Sequence, residues 1–296
     1  SEIRLGTGRI QHHDRRQLEG CKICQRQLGK IEVLHRIIFI LAWAALLASC
    51  SSSKQHNAWK LKWSDEFDYT GLPDSTKWDY DVGGHGWGNN ELQYYTRADT
   101  NNAVVRNGRL LITLRKQLKD TNHYTSARLI SKHKGDWLYG RIEVKAKLPA
   151  GKGVWPAIWM LPTDWVYGGW PESGEIDIME HVGFMPDSVF SSVHTQAFNH
   201  VIRTQKTKGL FYDDVYTNFH VYAIEWSGDG IDFFVDDKKF FRFVNTGKGF
   251  TEWPFDKRFH LLVNIAFGGN WGGAKGIDSS ITAASMEVDY VRVYQK

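Results

Sequence analysis

The stretch YGRIEVKAKL, Tyr139–Leu148, decides the fold class. Ile142, Val144, Ala146 and Leu148 alternate with Arg141, Glu143, Lys145 and Lys147. In an extended chain, residues two apart share a face, so this segment is apolar on one side and charged on the other. On a helix the same order would scatter both sets around the circumference. Related patterns recur in RLLITLRK (Arg109–Lys116), VYAIEWS (Val221–Ser227), IDFFVDD (Ile231–Asp237), KFFRFV (Lys239–Val244) and EVDYVRVYQ (Glu287–Gln295). The turn-forming groups RNG, SGDG, DDK and NTGKG separate them. No long segment carries a helical period. The chain is therefore expected to be all-β, a sandwich or barrel of many short strands.

From Trp59 onward the sequence reads as one uninterrupted globular stretch, and residues 58–296 are expected to form one domain. The formal charge of the whole chain, +4, is small and spread without a basic stripe, which argues against nucleic acid as a partner. The 13 tryptophans suit either a core or flat platforms for sugar rings. The three cysteines all fall at or before Cys50. The globular part can thus form no internal disulfide, and packing, with or without a metal ion, must hold it together. The glycine-rich GGHGWGNN (Gly83–Asn90) lacks the strand–loop–helix setting and the lysine of a phosphate loop, so it reads as a surface loop beside a cleft.

The amino end divides into segments. HRIIFILAWAALLASC (residues 35–50) has a basic start, an apolar run too short to span a bilayer, and small residues before Cys50. This is the pattern of a bacterial lipoprotein signal peptide, with cleavage before Cys50 and lipid on its thiol. An ordinary signal peptide is the alternative. Residues 51–57 read as a polar tether. Residues 1–34 include CKIC (Cys21–Cys24) near His12 and His13, a candidate zinc set. The lack of apolar periodicity favours instead a disordered extension or a misassigned start. The expectation is an exported protein held to a bacterial membrane by lipid on Cys50.

One segment breaks the alternation. In GEIDIMEHVG (Gly174–Gly183), Glu175, Asp177 and Glu180 interrupt Ile176, Ile178 and Met179. Glu175 and Asp177 share a face, but strict alternation turns Glu180 into the core, where an unpaired carboxylate is costly. One extra residue near Met179, a β-bulge, returns Glu180 to their side. Four strand steps then separate the two glutamates by ~13 Å of backbone, and side chains leaning together leave their carboxyls roughly 5 Å apart. Retaining glycosidases need ~5–5.5 Å, inverting ones ~6.5–9.5 Å. The spacing suits double displacement through a covalent glycosyl-enzyme intermediate, with Asp177 orienting the nucleophile and sharing a proton. A solvated acidic edge strand without function is the competing reading.

At these residues the chain resembles glycoside hydrolase family 16. GEIDIME matches that family's active-site motif in its longer, bulged form, and GVWPAIWML (Gly153–Leu161) resembles the aromatic strand before it. GWGNNELQYYT (Gly86–Thr96) and GWPESGEIDIMEHVG (Gly169–Gly183) are similar to the laminarinase branch, which cleaves β-1,3-glucan. YGRIEVKAKLPAGKG, LLVNIAFGGNWGG and VDYVRVYQ extend the likeness from about Trp59 to the end. The resemblance implies a β-jelly roll of two curved antiparallel sheets with a concave substrate cleft. It implies Glu175 as nucleophile, Glu180 as general acid/base and Asp177 as helper. Trp155, Trp159 and Trp170 would line the cleft, and Asn90, Arg128 and His194 would face sugar hydroxyls, with Asn264 and Trp271 as further candidates. It also implies a structural Ca²⁺ on the convex side, at Glu66, Gly108 through its carbonyl, and Asp289, with no cofactor required for catalysis.

The expected activity is that of a retaining endo-β-1,3-glucanase, working as a monomer on a polysaccharide. Two alternatives stand beside it. One is the same chemistry on mixed-linkage β-glucan or an agar- or porphyran-type galactan. The other is a carbohydrate-binding jelly roll without catalysis, which would need the tryptophans but not two glutamates.

Overall fold

The computed structural model describes residues 59–296, so the expected leader, Cys50, the tether and the Cys21–Cys24 pair lie outside the described residues. Among these residues there are eighteen strands and no helix. In chain order they are β1 (Lys60–Asp65), β2 (Asp79–Asp81), β3 (Gln93–Tyr95), β4 (Ala103–Arg106), β5 (Arg109–Lys119) and β6 (Asn122–Ser126). Next come β7 (Arg128–Ile130), β8 (Asp136–Trp137), β9 (Gly140–Lys147), β10 (Val154–Pro162), β11 (Glu175–His181) and β12 (Ser188–His194). The last six are β13 (Lys206–Phe211), β14 (His220–Trp226), β15 (Gly230–Val235), β16 (Lys238–Val244), β17 (Phe259–Phe267) and β18 (Ala283–Gln295). The six segments read from alternation became β5, β9, β14, β15, β16 and β18, with ends displaced by a few residues.

The strands form two open sheets. One runs β16-β15-β14-β9-β18-β5-β6-β3, with β1 on β18 and β4 on β5. The other runs β13-β12-β11-β10-β17-β7-β2, with β8 on β17. Pairing is antiparallel except between β3 and β6. Neither sheet closes on itself, so the fold is the sandwich and not the barrel.

The core fills the space between the sheets. Ile142, Val144 and Ala146 of β9 are fully buried, as alternation requires, together with Ile224 and Trp226 of β14. From the other sheet come Ile158 and Met160 of β10, Ile176 of β11, and Leu261, Val263 and Ile265 of β17. Burying each such side chain is worth about 1.5–3 kcal/mol, which sets the sheet-to-sheet packing against the cost of ordering the chain. β17 is buried along its whole length. On its second face Asn264 is held between the side chains of Trp159 and Tyr95, beneath the cleft. β18 exchanges neighbours midway: residues up to Val288 pair with β5, and those from Val291 pair with β1, with a bulge between Val288 and Tyr290.

Candidate active site

The site grows from β11. Against β12, Glu175 pairs with His194, Asp177 with Ser192 and Glu180 with Phe190, and the register slips between Asp177 and Glu180. Against β10, Met179 faces Ile158 and Asp177 faces Trp159, so Ile178 is the residue left over. Both Ile178 and Met179 are buried in the core. The bulge therefore sends two successive side chains inward and leaves Glu175, Asp177 and Glu180 lining one cleft. The carbonyl of Ile178, displaced from the ladder, accepts a hydrogen bond from Ser191 Oγ at 2.7 Å. That bond satisfies a buried acceptor that would otherwise destabilise the kink. Gly183 closes the segment where only glycine fits, since a Cβ there would lie 1.7 Å from the Gly151 carbonyl oxygen.

Each glutamate has an indole donor. Trp170 Nε1 donates to Glu175 Oε2 at 2.9 Å, and Trp155 Nε1 donates to Glu180 Oε1 at 3.0 Å. Burial holds the Glu180 carboxyl well above its ordinary range, and the negative charge of Asp177 adds to this. Asp177 is also pushed well up, first by burial and then by the charge of Glu175. His194 stands behind both, its Nε2 lying 3.3 Å from Asp177 Oδ2 and 3.8 Å from Glu175 Oε1. One carboxyl that keeps its proton beside one held by a donor for attack is the division of labour that acid and nucleophile require.

The cleft encloses about 410 Å³. Trp155, Trp159 and Trp170 line it, as the resemblance implied, and Arg128 lies in the same wall. The tryptophans do more than present flat faces. Trp159 Nε1 donates to Asn264 Oδ1 at 2.7 Å, and Asn264 Nδ2 donates to Tyr95 Oη at 2.9 Å, tying three elements beneath the cleft floor. The guanidinium of Arg128 lies between the rings of Trp87 and Trp159, 4.7 and 4.5 Å from their centres. Asp81 pairs with its Nε at 2.9 Å. A planar cation between two aromatic faces is a stiff wall.

One expected position falls elsewhere. Asn90 does not line the cleft: it is exposed and donates its amide to Asn270 Oδ1, while its neighbours Asn89 and Glu91 form the wall. Its positive φ of 56° turns the side chain out of step with theirs. His194 lies on the neighbouring strand β12 directly opposite Glu175, buried, with its Nε2 turned to the acidic cluster. Trp271 stands beside the cleft with its ring against Trp155. His85, Trp87, Glu91, Tyr95, Trp165 and His200 line the cleft without having been singled out in the sequence. Trp87 and Trp165 have positive φ, 50° and 48°, a strained backbone that surrounding packing must hold and that clusters at functional sites.

The expected calcium positions lie on three separate segments. Glu66 follows β1, Gly108 sits in the turn from β4 to β5, and Asp289 is at the β18 bulge, where β18 exchanges β5 for β1. The Glu66 carboxylate already accepts the fork of Arg292 at 3.0 and 2.8 Å, and Asp289 meets Lys145 Nζ at 2.8 Å.

Residues 90–292 match the family model described as Glycosyl hydrolases family 16. The chain is 50% identical over 284 residues to a beta-glucanase of Rhodothermus marinus, covering 92% of this chain and 99% of that one. The solved laminarinase from Rhodothermus marinus superposes with a TM-score of 0.79 at 54% identity, over 80% of this chain and 98% of its own. SCLam, a non-specific endo-beta-1,3(4)-glucanase, follows with 0.76 at 46% identity, over 80% of this chain and 91% of its own.

Proposed function

This chain belongs to glycosyl hydrolases family 16, and from that premise we propose that it is an endo-β-1,3-glucanase that cleaves laminarin-type glucan with retention. The observation that carries the reading is the bulge in β11, which gathers Glu175, Asp177 and Glu180 on the cleft wall. In the first step a Glu175 carboxylate oxygen attacks the anomeric carbon. The glycosidic C–O bond breaks, and Glu180 gives its proton to the departing sugar oxygen. A glycosyl ester on Glu175 remains. In the second step Glu180, now a carboxylate, takes a proton from water as the water oxygen attacks the same carbon and releases Glu175. Asp177 keeps a negative charge or shared proton between the two and orients Glu175.

The test is product analysis on laminarin, with lichenan, agarose and porphyran in parallel. New reducing ends from laminarin, first formed as the β-anomer, are expected. Binding without release would favour a carbohydrate-binding module, and release from the galactans alone would move the substrate class. Likeness to SCLam favours lichenan as a second substrate.

We extend the proposal to two further points. Lipid on Cys50 would hold the exported enzyme at a bacterial membrane, a reading supported by the LASC sequence. A calcium ion on the convex side would take the carbonyls of Glu66 and Gly108 with the Asp289 carboxylate, a hard-oxygen set, and would displace Lys145. Calcium removal is then expected to lower Tm in a melting experiment. An unchanged Tm would sink the calcium reading.

A further inference from the structure

Glu175, Asp177 and His194 each offer one ligand atom, and these atoms lie within 4.8 Å of one another. Among the described residues no other group of three or more His, Cys, Asp or Glu side chains is so placed. The catalytic scheme uses this cluster incompletely. Asp177 Oδ2 is buried and has no hydrogen-bond partner, although it points toward His194 Nε2 at 3.3 Å. Asp177 is 2% exposed and His194 6%. Buried polar atoms left in this state are uncommon and ask for an occupant.

The donors are held rigidly. Glu175 and Asp177 are two residues apart on β11, and His194 is the cross-strand partner of Glu175 on β12. Two carboxylates and one imidazole, with one side facing the cleft, form a three-ligand site with an open position for water or another ligand. Three ligands ~2.0–2.2 Å from a tetrahedral zinc ion sit about 3.3–3.6 Å apart; His194 Nε2 is already 3.3 and 3.8 Å from the two carboxylates, and side-chain rotations that draw the widest pair in by about an ångström would close the cluster on an ion. The mixed nitrogen and oxygen set suits borderline first-row ions. It offers too few oxygens for Ca²⁺ or Mg²⁺.

We propose that Glu175, Asp177 and His194 form a reversible inhibitory site for one borderline divalent ion, with Zn²⁺ as the probe. The ion draws on the lone pairs of Glu175 that would attack the anomeric carbon. Metal and sugar therefore exclude one another. Binding stands on the geometry alone, while inhibition rests on the role of Glu175 given above.

The experiment uses the full chain with Cys21, Cys24 and Cys50 replaced by serine, which removes thiols that would bind zinc elsewhere. Calorimetric titration with Zn²⁺ is expected to show one site per chain, weakened more than about tenfold in His194→Gln and in Glu175→Gln. A laminarin oligosaccharide in excess is expected to displace the ion. Laminarin hydrolysis should fall with added Zn²⁺, recover with a zinc-selective chelator in calcium-containing buffer, and ignore Mg²⁺. Absence of a saturable site, or an affinity unchanged in both variants, overturns the proposal. If His194→Gln does not fold, Glu175→Gln decides alone. Zn²⁺ that binds at these residues without slowing hydrolysis overturns the inhibitory role. A zinc-free enzyme inert on every glucan overturns the glucanase reading and leaves the binding result standing.

Discussion

Deleting Ile178 should leave an active enzyme, although it removes a residue from the middle of the active-site strand. The reason is parity. β12 counts four steps from His194 to Phe190, whatever β11 does opposite them, so the axial distance from Glu175 to Glu180 stays near ~13 Å. β11 takes five steps over that span, and the surplus residue is Ile178. Without it, Glu175, Asp177 and Glu180 alternate regularly with Ile176 and Met179, and all three carboxyls keep the cleft face. The stability cost is another matter. Ile178 is 1% exposed, and loss of such a side chain costs about 2–5 kcal/mol. Ser191 Oγ also loses its acceptor, about 1–3 kcal/mol more, part of which Ser191→Ala should restore. Against a total of about 5–15 kcal/mol the domain should remain folded at low temperature with a reduced Tm. Deleting Ile178 and Met179 together reverses the parity, turns Glu180 inward and removes the acid, a loss of about 10²–10⁴ in kcat/KM. The assay is reducing-end release from laminarin at 20 °C or so, with circular dichroism to confirm folding. A folded single deletion as inactive as the double one would refute the parity argument.

Three other outcomes follow from the same site. Glu175→Gln and Glu180→Gln should each cut kcat on laminarin by at least about 10² while oligosaccharide binding, read by calorimetry, stays near wild type; Asp177→Asn should cost less than Glu175→Gln, and equal losses would reassign Asp177. On the alkaline side, kcat/KM should fall as Glu180 loses its proton, at a pH above that of an exposed glutamate, because burial and Asp177 raise its hold on the proton. Trp155→Phe removes a donor that favours the carboxylate and should move that limb to higher pH, whereas Asp177→Asn removes a negative neighbour and should move it lower; pH–rate profiles showing the opposite order would reject Glu180 as the acid. Arg128→Met removes a cation held between two rings, about 1–4 kcal/mol for the two contacts, and is expected to raise KM more than it lowers kcat in initial-rate measurements.

Much of the fold was legible because strand periodicity is local. Alternation in Tyr139–Leu148 is enough to place Ile142, Val144 and Ala146 inside, and the cost of burying Glu180 is enough to demand a bulge. Sequence spacing could not say that β17 would be covered on both faces, since its cover comes from β10 and from loops far away in the chain. The cleft walls were harder still. Trp87, Glu91, Trp165 and His200 sit in loops, where no period assigns a face. The clamp on Arg128 joins three separate segments, and nothing local announces it. Asn90 illustrates the limit: its motif placed it near the cleft, but one left-handed residue sends its amide outward to Asn270.

The burial of β17 on both faces has a dynamic consequence. Its amides lie in the interior of the sheet, between β10 on one side and β7 and β8 on the other, under side chains on both faces, so exposing them to solvent requires dismantling the sandwich itself. The loop carrying Trp165 has no such backing: Asp164, Val166, Gly168 and Gly169 around it are exposed, and it can open at far lower cost. The enzyme thus combines a keel that yields only to global unfolding with one gunwale free to flex as a polymer settles in and is let go.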